Sequence, residues 1–262
     1  ILILCENSYE IISFYVYCIM NNQTVLMIDS NLDKKLLSSY IEEYSPNMVY
    51  CNKIHIDKFS DFTIYNSFKN YTLLKNSNLK KYKIDKELCM LLTTSGSTGS
   101  PQCVKITKKS LSYNTNQIIN NLGIRSNHKT ITTLPFFYTY GLSIINTHLQ
   151  SGASIVINRD KIFQKTFWHK IKKYSITSFG GVAYMYYILR NIKLQNKSLK
   201  SIKYLTHAGG KLDLNLIHYM MKLSQKKNFK FYNMYGAVEA VSRISILDYK
   251  FLKSKSQSIG KG

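Results

Sequence analysis

In Leu91-Leu92-Thr93-Thr94-Ser95-Gly96-Ser97-Thr98-Gly99-Ser100-Pro101-Gln102-Cys103-Val104-Lys105-Ile106-Thr107, small hydroxylated residues and glycines stand between two apolar, strand-like runs. Gly96 and Gly99 allow positive φ and close approach of a ligand. Successive backbone N–H groups can therefore turn inward as an anion-binding nest, with Ser95, Ser97 and Thr98 adding hydroxyl donors. Pro101 stiffens the exit. A Walker A loop is excluded, because Gly96 is followed five positions later by Pro101 and not by Gly-Lys-Ser/Thr, and no helix opens directly behind it. Seen alone, the same residues also suit a hairpin turn or a flexible linker.

Working outward, strand and helix patterns alternate. Toward the start, Ile1 to Cys5 reads as a buried strand, Asn7-Ser8-Tyr9-Glu10 as a helix start leading into Ile11 to Met20, and Val25 to Ile28 as a strand. Ser30 is expected to cap a helix from Leu32 to Tyr44, and Met48 to Cys51 is the next strand. Residues 52 to 87 are the least regular, with a short strand near Phe62 to Tyr65 and a Lys-rich stretch from Lys75 to Lys86. Beyond the loop come a helix to Leu122 and strands at Thr130–Leu134, Ala153–Ile157, Ile176–Phe179, Ile202–Thr206 and Lys230–Asn233. Helices at 142–149, 163–174, 182–191 and 214–226 separate them, and a β run over 241–247 follows. Such alternation with short connections predicts an α/β fold of layered, largely parallel β-sheets with packed helices.

A chain of 262 residues with 45% hydrophobic content can bury a substantial core. Its longest apolar run, Ile11 to Met20, is far short of the roughly 20 residues a membrane helix needs, so no membrane span is expected. The start carries neither an initiator Met nor a basic lead, as in a chain cut at that end. The formal net charge of +22 ordinarily points to nucleic acid. Here only Arg125, Arg159, Arg190 and Arg243 are arginines, and the lysines spread through every segment. Nucleic-acid recognition favours the bidentate guanidinium, so no nucleic-acid partner is expected. The five cysteines, Cys5, Cys18, Cys51, Cys89 and Cys103, include no Cys-x-x-Cys pair and mostly sit in apolar runs, the usage of a reducing, cytoplasmic compartment.

The loop at 94–101 resembles the phosphate-binding signature of the adenylate-forming enzymes, the superfamily of acyl-CoA synthetases, nonribosomal-peptide adenylation domains and luciferases. Gln102 and Cys103 depart from its usual Lys and Gly. Four further stretches agree with the family in its order. Leu134-Pro135-Phe136-Phe137-Tyr138-Thr139-Tyr140-Gly141-Leu142 resembles its segment bordering the acyl pocket, with Tyr138 in place of His, and Gly180-Gly181-Val182-Ala183-Tyr184 resembles its Gly-Val-Pro-x-x-Tyr stretch. Ala208-Gly209-Gly210-Lys211-Leu212 follows a strand, where paired glycines let a flat ring lie against the backbone. Without the other motifs it is also an ordinary strand-to-helix turn. Asn233-Met234-Tyr235-Gly236-Ala237-Val238-Glu239 resembles the Tyr-Gly-x-Thr-Glu signature, with Val238 for Thr. Alone, Glu239 reads as a solvated side chain after a strand.

The resemblance implies the fold of the large N-terminal domain of these enzymes, incomplete at both ends, over residues 1–262. A subdomain break is expected around 67–87, and the small C-terminal lid domain is absent. It implies ATP-dependent activation of a small-molecule carboxylate to an acyl adenylate with release of pyrophosphate. Transfer to CoA, or to a phosphopantetheine thiol on an acyl-carrier protein, follows. The implied phosphate-binding residues are Thr94, Ser95, Gly96, Ser97, Thr98 and Gly99, with Thr98 and Glu239 catalytic and Glu239 holding Mg²⁺. Adenine is expected on Gly209, Gly210, Lys211, Asn233, Met234, Tyr235 and Gly236, and the acyl group beside Tyr138, Gly141, Gly181 and Val182. Tyr138, Tyr140, Tyr184 and Tyr186 suggest a restricted acyl pocket and not a long tunnel. Gln102, Cys103 and Val238 keep open a nucleotide-binding or interaction module that has lost catalysis, and the charge alone keeps open a lysine-rich nucleic-acid binder.

Overall fold

The computed structural model describes residues 1–80, 82–94 and 102–262, which form two compact units, Ile1–Ser112 and Tyr113–Gly262. In the first unit, β1 (Leu2–Cys5), α1 (Tyr9–Met20), β2 (Val25–Asp29), α2 (Lys34–Tyr44) and β3 (Met48–Asn52) alternate as expected. They are followed by β4 (Phe62–Phe68), β5 (Tyr71–Asn76), β6 (Leu88–Thr93) and β7 (Cys103–Thr107). These strands make one sheet in the order β4-β5-β3-β1-β2-β6-β7. Its centre, β3-β1-β2-β6, is parallel, and each flank is closed by an antiparallel strand. All four residues of β1 are buried, as suits a parallel strand covered on both faces.

Two local readings are corrected. α2 begins at Lys34 and is capped by Asp33, whose Oδ1 accepts from the Leu36 N–H at 3.0 Å; Ser30 is not the cap. The preceding residues are held in an Asx turn, with the Asn31 N–H donating to Asp29 Oδ1 at 2.9 Å. The stretch read as irregular contains the β4–β5 hairpin, bent by a bulge between Ile64 and Asn66.

The second unit takes in most of α3 (Lys108–Leu122) and then β8 (Lys129–Ile131), α4 (Thr139–Gln150), β9 (Ser154–Val156), α5 (Lys165–Lys173) and β10 (Ser178–Gly181). It continues with α6 (Ala183–Asn191), β11 (Tyr204–His207), α7 (Leu214–Lys227), β12 (Lys230–Tyr235) and β13 (Ser245–Leu247). Sheet order is β13-β12-β11-β10-β8-β9, parallel except for β13. Two cores line its faces. Leu205 and Phe231 pack with Phe167, Tyr186 and Leu216 on one side, while Tyr204 and Tyr232 pack with Tyr140 and Ile144 on the other. Chain direction across the sheet reverses between β8 and β10, so their carboxyl ends, with those of β11 and β12, bound the crevice such sheets offer to ligands. Among the described residues no helix is long and apolar enough to cross a membrane.

Candidate functional site

The carboxyl ends of β11 and β12 build a cavity of about 340 Å³ within the second unit. Its lining includes all seven residues expected to hold a purine: Gly209, Gly210 and Lys211 after β11, and Asn233, Met234, Tyr235 and Gly236 at the end of β12. Leu212, Leu214 and Ile217 add apolar wall, and Ser256, Gln257, Ser258 and Ile259 close one side. These last residues are tied to the sheet, since the Ser245 hydroxyl donates to the Ile259 carbonyl at 2.6 Å. Sequence reasoning did not place them in the site. Tyr235 lines this cavity and is 45% exposed, so its side chain is partly open to solvent.

Asn233 is positioned by pairing. The strand register sets it opposite His207, and His207 Nδ1 lies 2.7 Å from Asn233 Oδ1, the His donating. Burial pulls the His207 pKa below its ordinary value, so the ring is neutral, and among the described residues its Nε2 has no partner. Gly209 is required on two counts. Its φ is +82°, and a Cβ there would stand 2.5 Å from Tyr138 Oη and 3.2 Å from Val182 Cγ1. That contact brings two acyl-pocket candidates, Tyr138 and Val182, against an adenine candidate. Gly181 is buried at the end of β10, next to Val182, which caps α6. Gly141 packs elsewhere, against the Pro135 carbonyl. Of the tyrosines expected to narrow the acyl pocket, Tyr140 and Tyr186 are buried and both donate to the Thr206 carbonyl, at 2.9 and 2.8 Å, whereas Tyr184 is exposed.

Glu239 lies in a single 3₁₀ turn, Val238–Ala240, between β12 and β13. The expected β run over 241–247 is shortened to β13, because Val241 takes φ +68° in a γ-turn closed by the Ser242 N–H donating to the Ala240 carbonyl at 2.8 Å. Asn114 Nδ2 anchors the turn by donating to the Arg243 carbonyl at 2.8 Å. Among the described residues the Glu239 carboxylate has no hydrogen-bond or ion-pair partner, and no group of three or more His, Cys, Asp or Glu could hold a metal. One free carboxylate suits Mg²⁺, which is held by one or two carboxylates together with substrate phosphates and keeps much of its water.

Of the phosphate-loop candidates, Ser95, Gly96, Ser97, Thr98 and Gly99 lie outside the described residues. Thr94 is described in the first unit, at the mouth of the β6–β7 connection, where its N–H meets the Gln102 carbonyl at 3.5 Å. A second and larger cavity of about 850 Å³, lined by Lys200, Lys203, Lys230, Lys250 and Lys253 among others, lies at the amino ends of β11 and β12, away from the ligand end of a parallel sheet.

Residues 1–261 match the family described as AMP-binding enzyme. The chain belongs to that family. Among curated relatives of this AMP-binding family member, 2-succinylbenzoate–CoA ligase of Bacillus pumilus is 22% identical over 263 residues, covering 99% of this chain and 52% of the relative. The long-chain-fatty-acid–CoA ligase of Bacillus subtilis is 27% identical, covering 88% of this chain and 42% of the relative. The chain thus spans about half or less of these relatives. Among solved structures, o-succinylbenzoate CoA synthetase from Bacillus subtilis, in complex with an acyl-adenylate intermediate, superposes with a TM-score of 0.77 at 20% identity, over 99% of this chain and 53% of that one. The N-terminal domain of FACL13 from Mycobacterium tuberculosis gives 0.80 at 15% identity, over 99% of this chain and 68% of that one. The shared fold is that of the adenylate-forming N-terminal domain.

Proposed function

We propose that this chain is part of the large adenylation domain of an enzyme that activates a carboxylic acid with ATP, releasing pyrophosphate, and passes the acyl group to a thiol, CoA being the acceptor in the relatives' names. The observation that carries the reading is the convergence of Gly209, Gly210, Lys211, Asn233, Met234, Tyr235 and Gly236 on one cavity at the carboxyl ends of parallel strands. In this reading Tyr235 stacks on the purine, the paired glycines let it lie against backbone, and Asn233, steadied by His207, presents its amide edge. Phosphoryl-type chemistry asks for alignment and charge neutralisation more than for covalent help. Glu239 would supply one carboxylate for Mg²⁺, whose charge would offset that of the triphosphate. Ser95 to Gly99, with Thr94 at the entrance, supply N–H and hydroxyl donors for the phosphates, and Tyr138 and Val182 border the acid. Cytoplasmic residence and a carrier protein as alternative acceptor belong to the same proposal, as do the subdomain break at 67–87 and a separate lid domain.

Val238, Gln102 and Cys103 favour a second reading, a nucleotide-binding module without catalysis. Acid-dependent exchange of pyrophosphate into ATP by the full chain, together with ATP binding by calorimetry, separates the two. The enzyme reading expects both signals, and Tyr235→Ala is expected to weaken ATP binding by about tenfold or more, in keeping with a stacking contribution of about 1–3 kcal/mol. Binding without exchange over a broad acid panel supports the second reading, and neither signal overturns both.

A further inference from the structure

Arg243 follows the γ-turn at Val241 and turns inward, where it is 7% exposed. Its guanidinium lies 5.2 Å from the centre of the Tyr140 ring, and Nη2 donates to Ser143 Oγ at 3.3 Å, while Nε and Nη1 have no hydrogen-bond partner among the described residues. No Asp or Glu among the described residues pairs with it. An aromatic face replaces only part of the hydration a cation gives up, so a buried guanidinium with two idle donors is an incomplete interaction. Burial accordingly lowers the Arg243 pKa from its ordinary value.

Beside it, a cavity of about 10 Å³ is bounded by Arg243, His148, Ser178, Gly180 and Tyr204 among others. Space of that order holds about one water-sized atom, enough for one oxygen of a ligand. The walls are polar. His148 Nδ1 lies 2.8 Å from the Ile144 carbonyl and so carries the proton, which leaves Nε2 as acceptor toward Ser178 Oγ at 3.5 Å and Tyr204 Oη at 3.4 Å. Burial and the Arg243 charge push the His148 pKa down to about 4, so Arg243 is the one charge of the pocket at neutral pH. Its location bears on the acid. Gly180 directly precedes Gly181, which is assigned to the acyl group, and a Cβ on Gly180 would stand 2.7 Å from Tyr140 Oη.

We propose that Arg243 receives a second carboxylate of the acid, so that this chain selects acids bearing a distal anionic group over their monoanionic counterparts. The inference rests on the acid-activating reading above. A bound carboxylate places one oxygen in the small cavity against the idle Nε and Nη1 donors, and the Tyr140 ring turns off the guanidinium to admit it. The occupied pocket is then neutral overall.

The test uses the full chain and matched acids, butanoate with butanedioate and benzoate with phthalate, in acid-dependent pyrophosphate exchange and in thermal melting. For wild type the diacid of at least one pair is expected to have the higher kcat/KM and to give the larger rise in melting midpoint. Arg243→Met is expected to reduce the diacid-to-monoacid ratio by about thirtyfold or more, chiefly through KM, as loss of charged hydrogen bonds predicts. Arg243→Lys is expected to recover part of the ratio. A ratio equal in wild type and Arg243→Met overturns the proposal. So does a rise in midpoint that formate or chloride alone matches, which makes the pocket a site for a free anion. Should no acid support exchange, the acid-activating reading fails separately. Melting still decides the site: a diacid-specific rise abolished by Arg243→Met supports it, and its absence overturns it.

Discussion

The cavity at the carboxyl ends of β11 and β12 and the Arg243 pocket share one sheet and are built in opposite ways. The first is lined largely by backbone and glycine, lies at strand ends, and leaves Tyr235 open to solvent. The second is a closed cluster of side chains, Arg243, Tyr140, His148 and Tyr204, behind those strand ends, with polar groups left unsatisfied. A site of backbone and glycine is written into local sequence, because a positive φ or a close approach demands a particular residue. A site of buried polar side chains is written only in tertiary packing. The two therefore differ in what a mutation does: one loses ligand without losing fold, the other trades stability for selectivity.

The largest effect is expected at the hinge between them. A Cβ on Gly236 would overlap the Ser242 carbonyl and crowd Arg243 Cα, so Gly236→Val disturbs both sites and is expected to destabilise the chain by about 3 kcal/mol, read by urea denaturation. An unchanged midpoint would uncouple the two regions.

Acid should attack the buried pocket selectively. The His148 pKa is about 4 in the folded chain against 6.5 for a free imidazole, so between those values the unfolded chain binds the extra proton. Stability is full above pH 6.5, falls as pH drops toward 4, and this contribution reaches about 3 kcal/mol. The depressed pKa values of His128 and His207 act in the same direction. His148→Gln should flatten part of the slope of denaturation midpoint against pH; an identical slope removes His148 from the account.

In the turn that follows β12, Glu239→Gln should leave melting within a degree or so while lowering pyrophosphate exchange by about two orders of magnitude, about 2.7 kcal/mol, and shifting the Mg²⁺ requirement upward. Unchanged exchange in an active parent makes Glu239 a surface residue. The smallest effect has the opposite sign. Arg243→Met, melted without ligand, should be more stable by about 1 kcal/mol, because a partnerless buried charge gives way to an apolar side chain of similar length. A lower midpoint would mean that the cation is holding the fold.

How far these regions could be read in advance follows the same division. Alternation of strands and helices, the strands of the second sheet and the seven residues that meet at one cavity at the ends of β11 and β12 were legible, since each rests on period, on strand ends or on glycine. Of the β4–β5 hairpin only a short strand near Phe62 to Tyr65 was legible. Most of Phe62–Phe68 is exposed at the sheet edge, so no alternation of apolar and polar residues marks its full length. α4 starts at Thr139 and not at Leu142 because Tyr140 is buried by tertiary contacts that its local sequence, rich in aromatics and ending in Gly141, does not announce. Arg243 looked like one cation among many. Only the register of β12 against β13 and the γ-turn at Val241 turn it inward.

The central claim, that the end of β11 and β12 is the nucleotide site, is tested most directly by photolabelling the full chain with 2-azido-ATP and Mg²⁺, then mapping the modified peptide. The account predicts ATP-protectable label on Asn233 to Gly236, with Tyr235 the main acceptor, and on Gly209 to Leu212. Label confined to the lysine-lined cavity at the amino ends of the same strands, around Lys200, Lys203 and Lys250, would contradict it.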